Sequence, residues 1–179
     1  ELCGVAFITG ALANTQAQAN VAHLAETARA HAQAGHWMFF TRDTHQDNYL
    51  TTREGRSLPI EHCIEGEDGW NFVPELENVM ADTEPEVCHI VDKPTFGSYM
   101  LPSEILDELM AHNKAVEDIE KIVIYGYCTD ICVIINAMVL RAAFPETEIE
   151  VLSDCCAGVT PQSHQTALDA MRACQFTII

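Results

Sequence analysis

Two cysteines, Cys128 and Cys132, flank a turn between the apolar run "KIVIYGY" (residues 121–127) and a second apolar run that reaches Phe144. With Thr129 as the N-cap of the helix begun there, Cys132 falls in the first helical turn. Unpaired N–H groups and the helix dipole favour negative charge at that point. The setting predicts a thiol pKa below about 8.5 and a reactive thiolate. Turn N–H groups would then face an oxyanion formed on a carbonyl under attack. The same residues can instead pack as small hydrophobes, or act as a redox or metal pair at their i, i+4 spacing. A second set lies in "TRDTHQDNYLTTREGRSLPIEHC" (41–63), where Asp43 and His45 sit one residue apart at a strand end and His62 lies across the loop. One carboxylate and two imidazoles suit Zn²⁺ or a similar divalent ion, with open positions for water; without an ion they are polar surface residues. In "VDKPTFGS" (91–98), Lys93 follows an apolar strand. It is either a half-buried charge partner for an acid or thiolate, or a solvated strand end.

Six apolar runs position these groups: "CGVAFI", "WMFFT", "VCHIV", "KIVIYGY", "EIEVLS" and "FTII". Between them, residues 14–34 repeat Ala, Leu and Val at helical spacing, with Gly35 as C-cap. A short helix is expected after Pro74, another over "SEILDELMAHN", and a third with Thr160 as cap and Pro161 at its first position. Residues 43–73 read as one long ordered loop. Apolar strands alternating with helices predict an α/β fold, a parallel sheet covered on both faces. Ligands in such folds sit beyond the carboxyl ends of the strands. Thr41–His45, Lys93–Phe96, Gly126–Cys132 and Asp154–Val159 occupy those ends.

A chain of 179 residues fits a single domain, 1–179. Nine basic residues against 27 acidic ones give a net charge of −18, which repels phosphate backbones and anionic lipid. Neither nucleic acid nor a membrane is expected as partner, and no run reaches the roughly 18 apolar residues of a membrane span. The chain opens on Glu1, with no export signal read in it. Its eight cysteines are therefore expected as free, mostly buried thiols in a reducing cytoplasm.

Taken together in chain order, "FITGAL", "RDTH", "EHC", "DKPTFGS" and "GYCTDICV" resemble the motifs of the cysteine hydrolases in the isochorismatase-like superfamily, nicotinamidases among them. The resemblance implies a three-layer fold, a six-stranded parallel sheet with helices on both faces. It makes Cys132 the nucleophile and Lys93 the group that steadies its charge. Asp43, His45 and His62 become ligands of a divalent metal ion, Zn first, with Fe or Mn as alternatives. The Tyr127–Cys128 peptide matches a cis bond that aims the N–H groups of Cys128 and Cys132 at the oxyanion, and Phe7 and Tyr127 line the substrate pocket. True isochorismatases of the superfamily lack this cysteine, so Cys132 argues against that reaction. The implied activity is hydrolysis of a small, nicotinamide-like carboxamide to acid and ammonia by a cytoplasmic homo-oligomer. Three positions depart from the pattern. The family's general-base aspartate is Leu2 here, the tryptophan before the metal histidine is Leu58 or Pro59, and an extra loop histidine is Thr51. The alternatives are a related amidase for a non-aromatic amide or ureido compound, and a binding protein on the same scaffold that lacks the base.

Overall fold

The computed structural model describes residues 15–179. The expected strand "CGVAFI", and with it Leu2 and Phe7, lies outside the described residues. Five strands are described: β1 (Met38–Asp43), β2 (Cys88–Lys93), β3 (Lys121–Tyr127), β4 (Glu148–Ala157) and β5 (Thr177–Ile178). All pairings are parallel, and among the described residues they form two sheets, β1–β2 and β3–β4–β5. Five of the six strands expected from the sequence are thus described, in parallel pairings, and the sixth lies outside the described residues.

The helices are α1 (Thr15–Gln33), α2 (Arg53–Ser57), α3 (Pro74–Ala81), α4 (Leu101–Ala111), α5 (Ile134–Ala143) and α6 (Pro161–Ala173). Their ends follow local chemistry. Gly35 takes φ 77° just beyond α1, a conformation that costs glycine little. Thr160 caps α6 by accepting from Ser163 N, with Pro161 behind it. β3 is buried along nearly its whole length, from Ile122 to Tyr127. Successive strand side chains point to opposite faces, so both faces of β3 are covered. One cover is α1, which lies on β3 and β4 and packs against α3; α4, α5 and α6 contact one another in turn, and α6 rests on β4 and β5.

The stretch 43–73 is not one irregular loop. It contains α2 and two short 3₁₀ turns, Tyr49–Thr51 and Asp68–Trp70. Its return strand runs beside its start: His45 pairs with Ile64 in a parallel bridge, His45 N donates to Cys63 O at 2.9 Å, and Glu65 N donates to His45 O at 2.8 Å. Cys63, Cys88, Cys132, Cys155, Cys156 and Cys174 are free thiols. No described helix is long and apolar enough to cross a membrane.

Candidate functional site

The register of β1 on β2 sets Asp43 opposite Lys93 at the last paired position of both strands. The Lys93 ammonium donates to the Asp43 carboxylate, and also to Thr95 O at 3.4 Å. Lys93 is 0% exposed and Asp43 is buried with it. The third member comes from the turn after β3. Burial pushes the Cys132 thiol up from its ordinary value, while the nearby Lys93 charge and a backbone hydrogen bond from Cys128 pull it back. In the reverse direction, burial lowers Lys93, and Cys132 opposes that by Coulomb attraction and a side-chain hydrogen bond. Burial disfavours the charged form of both groups, and each partly offsets that cost for the other.

Asp43 also faces the returning loop. One ligand atom from each of Asp43, His45 and His62 lies within 4.8 Å of the others, and all three residues are buried. The bridge of His45 to Ile64 carries His62 to this place, with the two imidazole centroids 4.8 Å apart. Tyr49 packs its ring on both imidazoles and donates its hydroxyl to Leu58 O at 3.0 Å. His62 Nδ1 bonds Ile60 O at 2.8 Å. A carbonyl only accepts, so Nδ1 is the donor and Nε2 is the nitrogen turned toward the cluster. Burial, with His62 beside it, lowers His45 to about 4 and keeps it neutral. Its Nε2 is buried without a hydrogen-bond partner.

Glu54, from α2, completes the cluster. Its Oε1 lies 3.4 Å from His45 Nε2 and 3.9 Å from His62 Nε2, and it too is buried without a hydrogen-bond partner. Burial raises its carboxyl above the ordinary value. Thr52 caps α2 by accepting from Gly55 N at 2.9 Å and so aims Glu54 inward. Two imidazole nitrogens and two carboxylates, with partnerless buried atoms turned to one another, fit a hard or borderline divalent ion.

A family model for the isochorismatase domain matches residues 5–179. The chain belongs to the isochorismatase-like hydrolase family. The solved structures it resembles include a pyrazinamidase/nicotinamidase from Streptococcus mutans, with TM-score 0.82, 23% identity and coverage of 99% of each chain. Others are a pyrazinamidase of Pyrococcus horikoshii in complex with zinc (0.76, 22%, covering 99% of this chain and 97% of that one) and an N-carbamoylsarcosine amidase from Thermoplasma acidophilum (0.72, 18%, 99% and 94%). These likenesses are of fold. Comparison with curated proteins finds no match.

Within the family frame, two details differ from expectation. Thr129–Val133 is a π-helical turn capped at Cys128, and α5 begins only at Ile134. Thr129 is therefore not a cap; its hydroxyl pairs with His164 Nδ1 at 2.8 Å. The thiol of Cys132 is accordingly raised rather than lowered, because desolvation at 8% exposure outweighs the turn's favourable amides. The Tyr127–Cys128 peptide is cis, as the resemblance implies. Tyr127 is 1% exposed, and its hydroxyl has neighbours in the thiols of Cys156 and Cys155.

Two site residues escaped the sequence reading. Glu54 sits in a polar stretch with no periodicity to single it out, although a threonine two residues earlier is a cap signal. Asn136 looks like an ordinary helix residue. It accepts from Ser98 N at 2.8 Å and donates to Cys132 O at 2.8 Å and Phe96 O at 3.3 Å. That side chain ties the segment after Lys93 to the turn that carries Cys132. Gly97 permits the approach, since a Cβ there would stand 2.2 Å from Ile135 Cγ2. A depression of ≈ 340 Å³, lined by Glu54, Thr95, Phe96, Gly97, Tyr99 and Ile135 among others, opens beside the cluster.

Proposed function

We propose that the protein is a cysteine amidohydrolase that cleaves a small, nicotinamide-like carboxamide to its acid and ammonia through a thioester on Cys132. The observation that carries the reading is the buried convergence of Cys132, Lys93 and Asp43, with Asp43 shared by the His45–His62–Glu54 cluster. Lys93 stabilises the thiolate form of Cys132, and the Asp43 carboxylate accepts a hydrogen bond from the Lys93 ammonium. The sulfur attacks the carbonyl carbon, and the electron pair moves to oxygen, where the N–H groups of Cys128 and Cys132 receive it. Collapse breaks the C–N bond, ammonia leaves with the proton the thiol gave up, and water then cleaves the thioester. Asp43, His45 and His62, with Glu54, would hold a divalent ion, Zn before Fe or Mn. Such an ion supplies Lewis-acid polarisation and orients the substrate.

Proton delivery is the weak point of this chain. The position of the family's proton carrier is Leu2, and general acid–base help is typically worth about 10²–10⁴ in rate. Acylation therefore runs ahead of turnover. The reading takes residues 1–179 as one domain, cytoplasmic and homo-oligomeric, without nucleic acid or membrane as partner. The net charge of −18 supports the exclusions, and the apolar depression on α5, lined by Ile134, Ile135, Met138, Val139 and Ala142, supports self-association.

The test combines ammonia release with intact-protein mass measurement, using nicotinamide, pyrazinamide and a non-aromatic carbamoyl amide. An acyl adduct that maps to Cys132 and vanishes in Cys132→Ala is expected. Leu2→Asp should raise turnover by at least about tenfold, or roughly 1.4 kcal/mol of barrier. Adduct-free protein with no ammonia from any amide, before and after Leu2→Asp, would leave the binding-protein alternative in possession.

A further inference from the structure

Asn20, His23 and Thr27 recur at i, i+3 and i+7 of α1 and so share one helix face. That face meets β4 where the strand loses register. Ile124 pairs with Val151 and Gly126 with Cys156, so two steps along β3 are matched by five along β4. A bulge of this kind re-aims side chains that would otherwise alternate. Asp154 and Cys155, neighbours in sequence, both reach α1 as a result. His23 Nε2 lies 3.0 Å from Asp154 Oδ2, Asn20 Nδ2 donates to Asp154 O at 2.6 Å, and Cys155 Sγ donates to Thr27 Oγ1 at 3.4 Å.

The ligand atoms of His23, Asp154 and Cys155 all lie within 4.8 Å of one another. Bond lengths of about 2.0–2.3 Å from zinc to nitrogen, oxygen and sulfur imply ligand-to-ligand edges of about 3.3–3.7 Å. Rotamer adjustments of about 1 Å close the set. Its exposure is graded: Cys155 is buried, whereas the His23 and Asp154 side chains are 51% and 71% exposed. An ion seated there has its soft ligand on the protein side and a position for water outside. The Tyr127 hydroxyl is buried next to the Cys156 and Cys155 thiols and lacks a hydrogen-bond partner among the described residues, so polar capacity on the inner side is unspent. None of these groups takes part in the Asp43–His45–His62 cluster, which stands on the other described sheet.

We propose that His23, Asp154 and Cys155 form a second metal site, for one borderline-soft divalent cation of the Zn²⁺ class, which clamps α1 onto the bulge of β4. Binding replaces the S–H bond of Cys155 with a metal–sulfur bond and releases the proton to water. The thiolate distinguishes this site chemically from the first cluster, which offers only nitrogen and oxygen. The proposal stands independently of the amidase reading.

The probe is Co²⁺ added to the metal-free full chain. Ligand-field and thiolate-to-cobalt charge-transfer absorption are followed together with metal content. Two ions per chain are expected, with the charge-transfer band saturating at one of them. Cys155→Ala should abolish the band and leave one ion, while Cys132→Ala should keep both. His23→Gln changes an exposed side chain and tests the site without burdening the fold; it should weaken the band-forming step by at least about tenfold, in the range seen when metal-site partners are lost. Zn²⁺ should likewise raise the thermal midpoint of wild type more than that of His23→Gln. Absence of the band, its survival in Cys155→Ala, its loss in Cys132→Ala, or equal Co²⁺ affinity in His23→Gln and wild type would each overturn the proposal.

Discussion

Replacing Asn136 with alanine should loosen the joint between the two halves of the candidate site. The side chain is 6% exposed and makes two 2.8 Å hydrogen bonds, to Ser98 N and Cys132 O, with a longer one to Phe96 O. Truncation strands these backbone groups in a dry environment, at about 1–3 kcal/mol for each well-made bond. Two such bonds give about 2–6 kcal/mol. Alanine's better helix propensity returns less than about 1 kcal/mol, and entering water recovers part of the rest. A net loss of about 3 kcal/mol is expected. With a urea slope of about 2 kcal/mol/M, the midpoint falls by about 1.5 M. Tryptophan emission from Trp37 and Trp70 can follow the transition, at fixed metal content because a bound ion adds its own stability. Asn136→Asp keeps the acceptor for Ser98 N but turns an oxygen toward two carbonyls, so it should lose at least as much. Alkylation of Cys132 should accelerate relative to exposed Cys174 in both variants. A midpoint shift under about 0.3 M with unchanged labelling would refute the argument that Asn136 joins the two segments.

Two further outcomes follow from the His–carboxylate cluster. His62→Ala should remove one ion per chain, and Glu54→Gln should lower the affinity for that ion by about 10–100-fold, both read by equilibrium dialysis with Zn²⁺; unchanged affinity in Glu54→Gln would exclude that carboxylate from the ligand set. In the metal-free protein, His45 titrates near 4 instead of 6.5, so the unfolded chain binds more protons between those values and stability rises with pH across that window, by at most about 3 kcal/mol. Glu54, raised by burial, works in the opposite sense above its ordinary value, so the rise should be steeper in Glu54→Gln and smaller in His45→Gln, where His164, also lowered by burial, still contributes, as urea midpoints from pH 4 to 7 would show.

Much of the frame was legible in the residues themselves. The run "KIVIYGY" is a strand over Lys121–Tyr127, and Thr160 with Pro161 starts α6, because strand propensity and capping depend on neighbours a few positions away. Strand ends in a parallel sheet gather at one edge, so the strand-end positions of Asp43, Lys93 and Cys132 already pointed to one place. Other features rest on groups that meet only after folding. The meeting of Glu54 with His45 and His62 requires the loop to return and pair with its own start. Asn136 matters because loop 96–98 arrives beside α5. The direction of the Cys132 shift reverses because a turn's amides act locally, whereas desolvation depends on everything packed above the thiol. The approach of Asp154 and Cys155 to one helix face reflects a lost register between β3 and β4, and an alternating strand pattern cannot encode it. The sequence by itself determined that strands run there and which chemistries stand near their carboxyl ends; tertiary structure decided how far each strand extends and which of those groups share a dielectric, a partner and an ion.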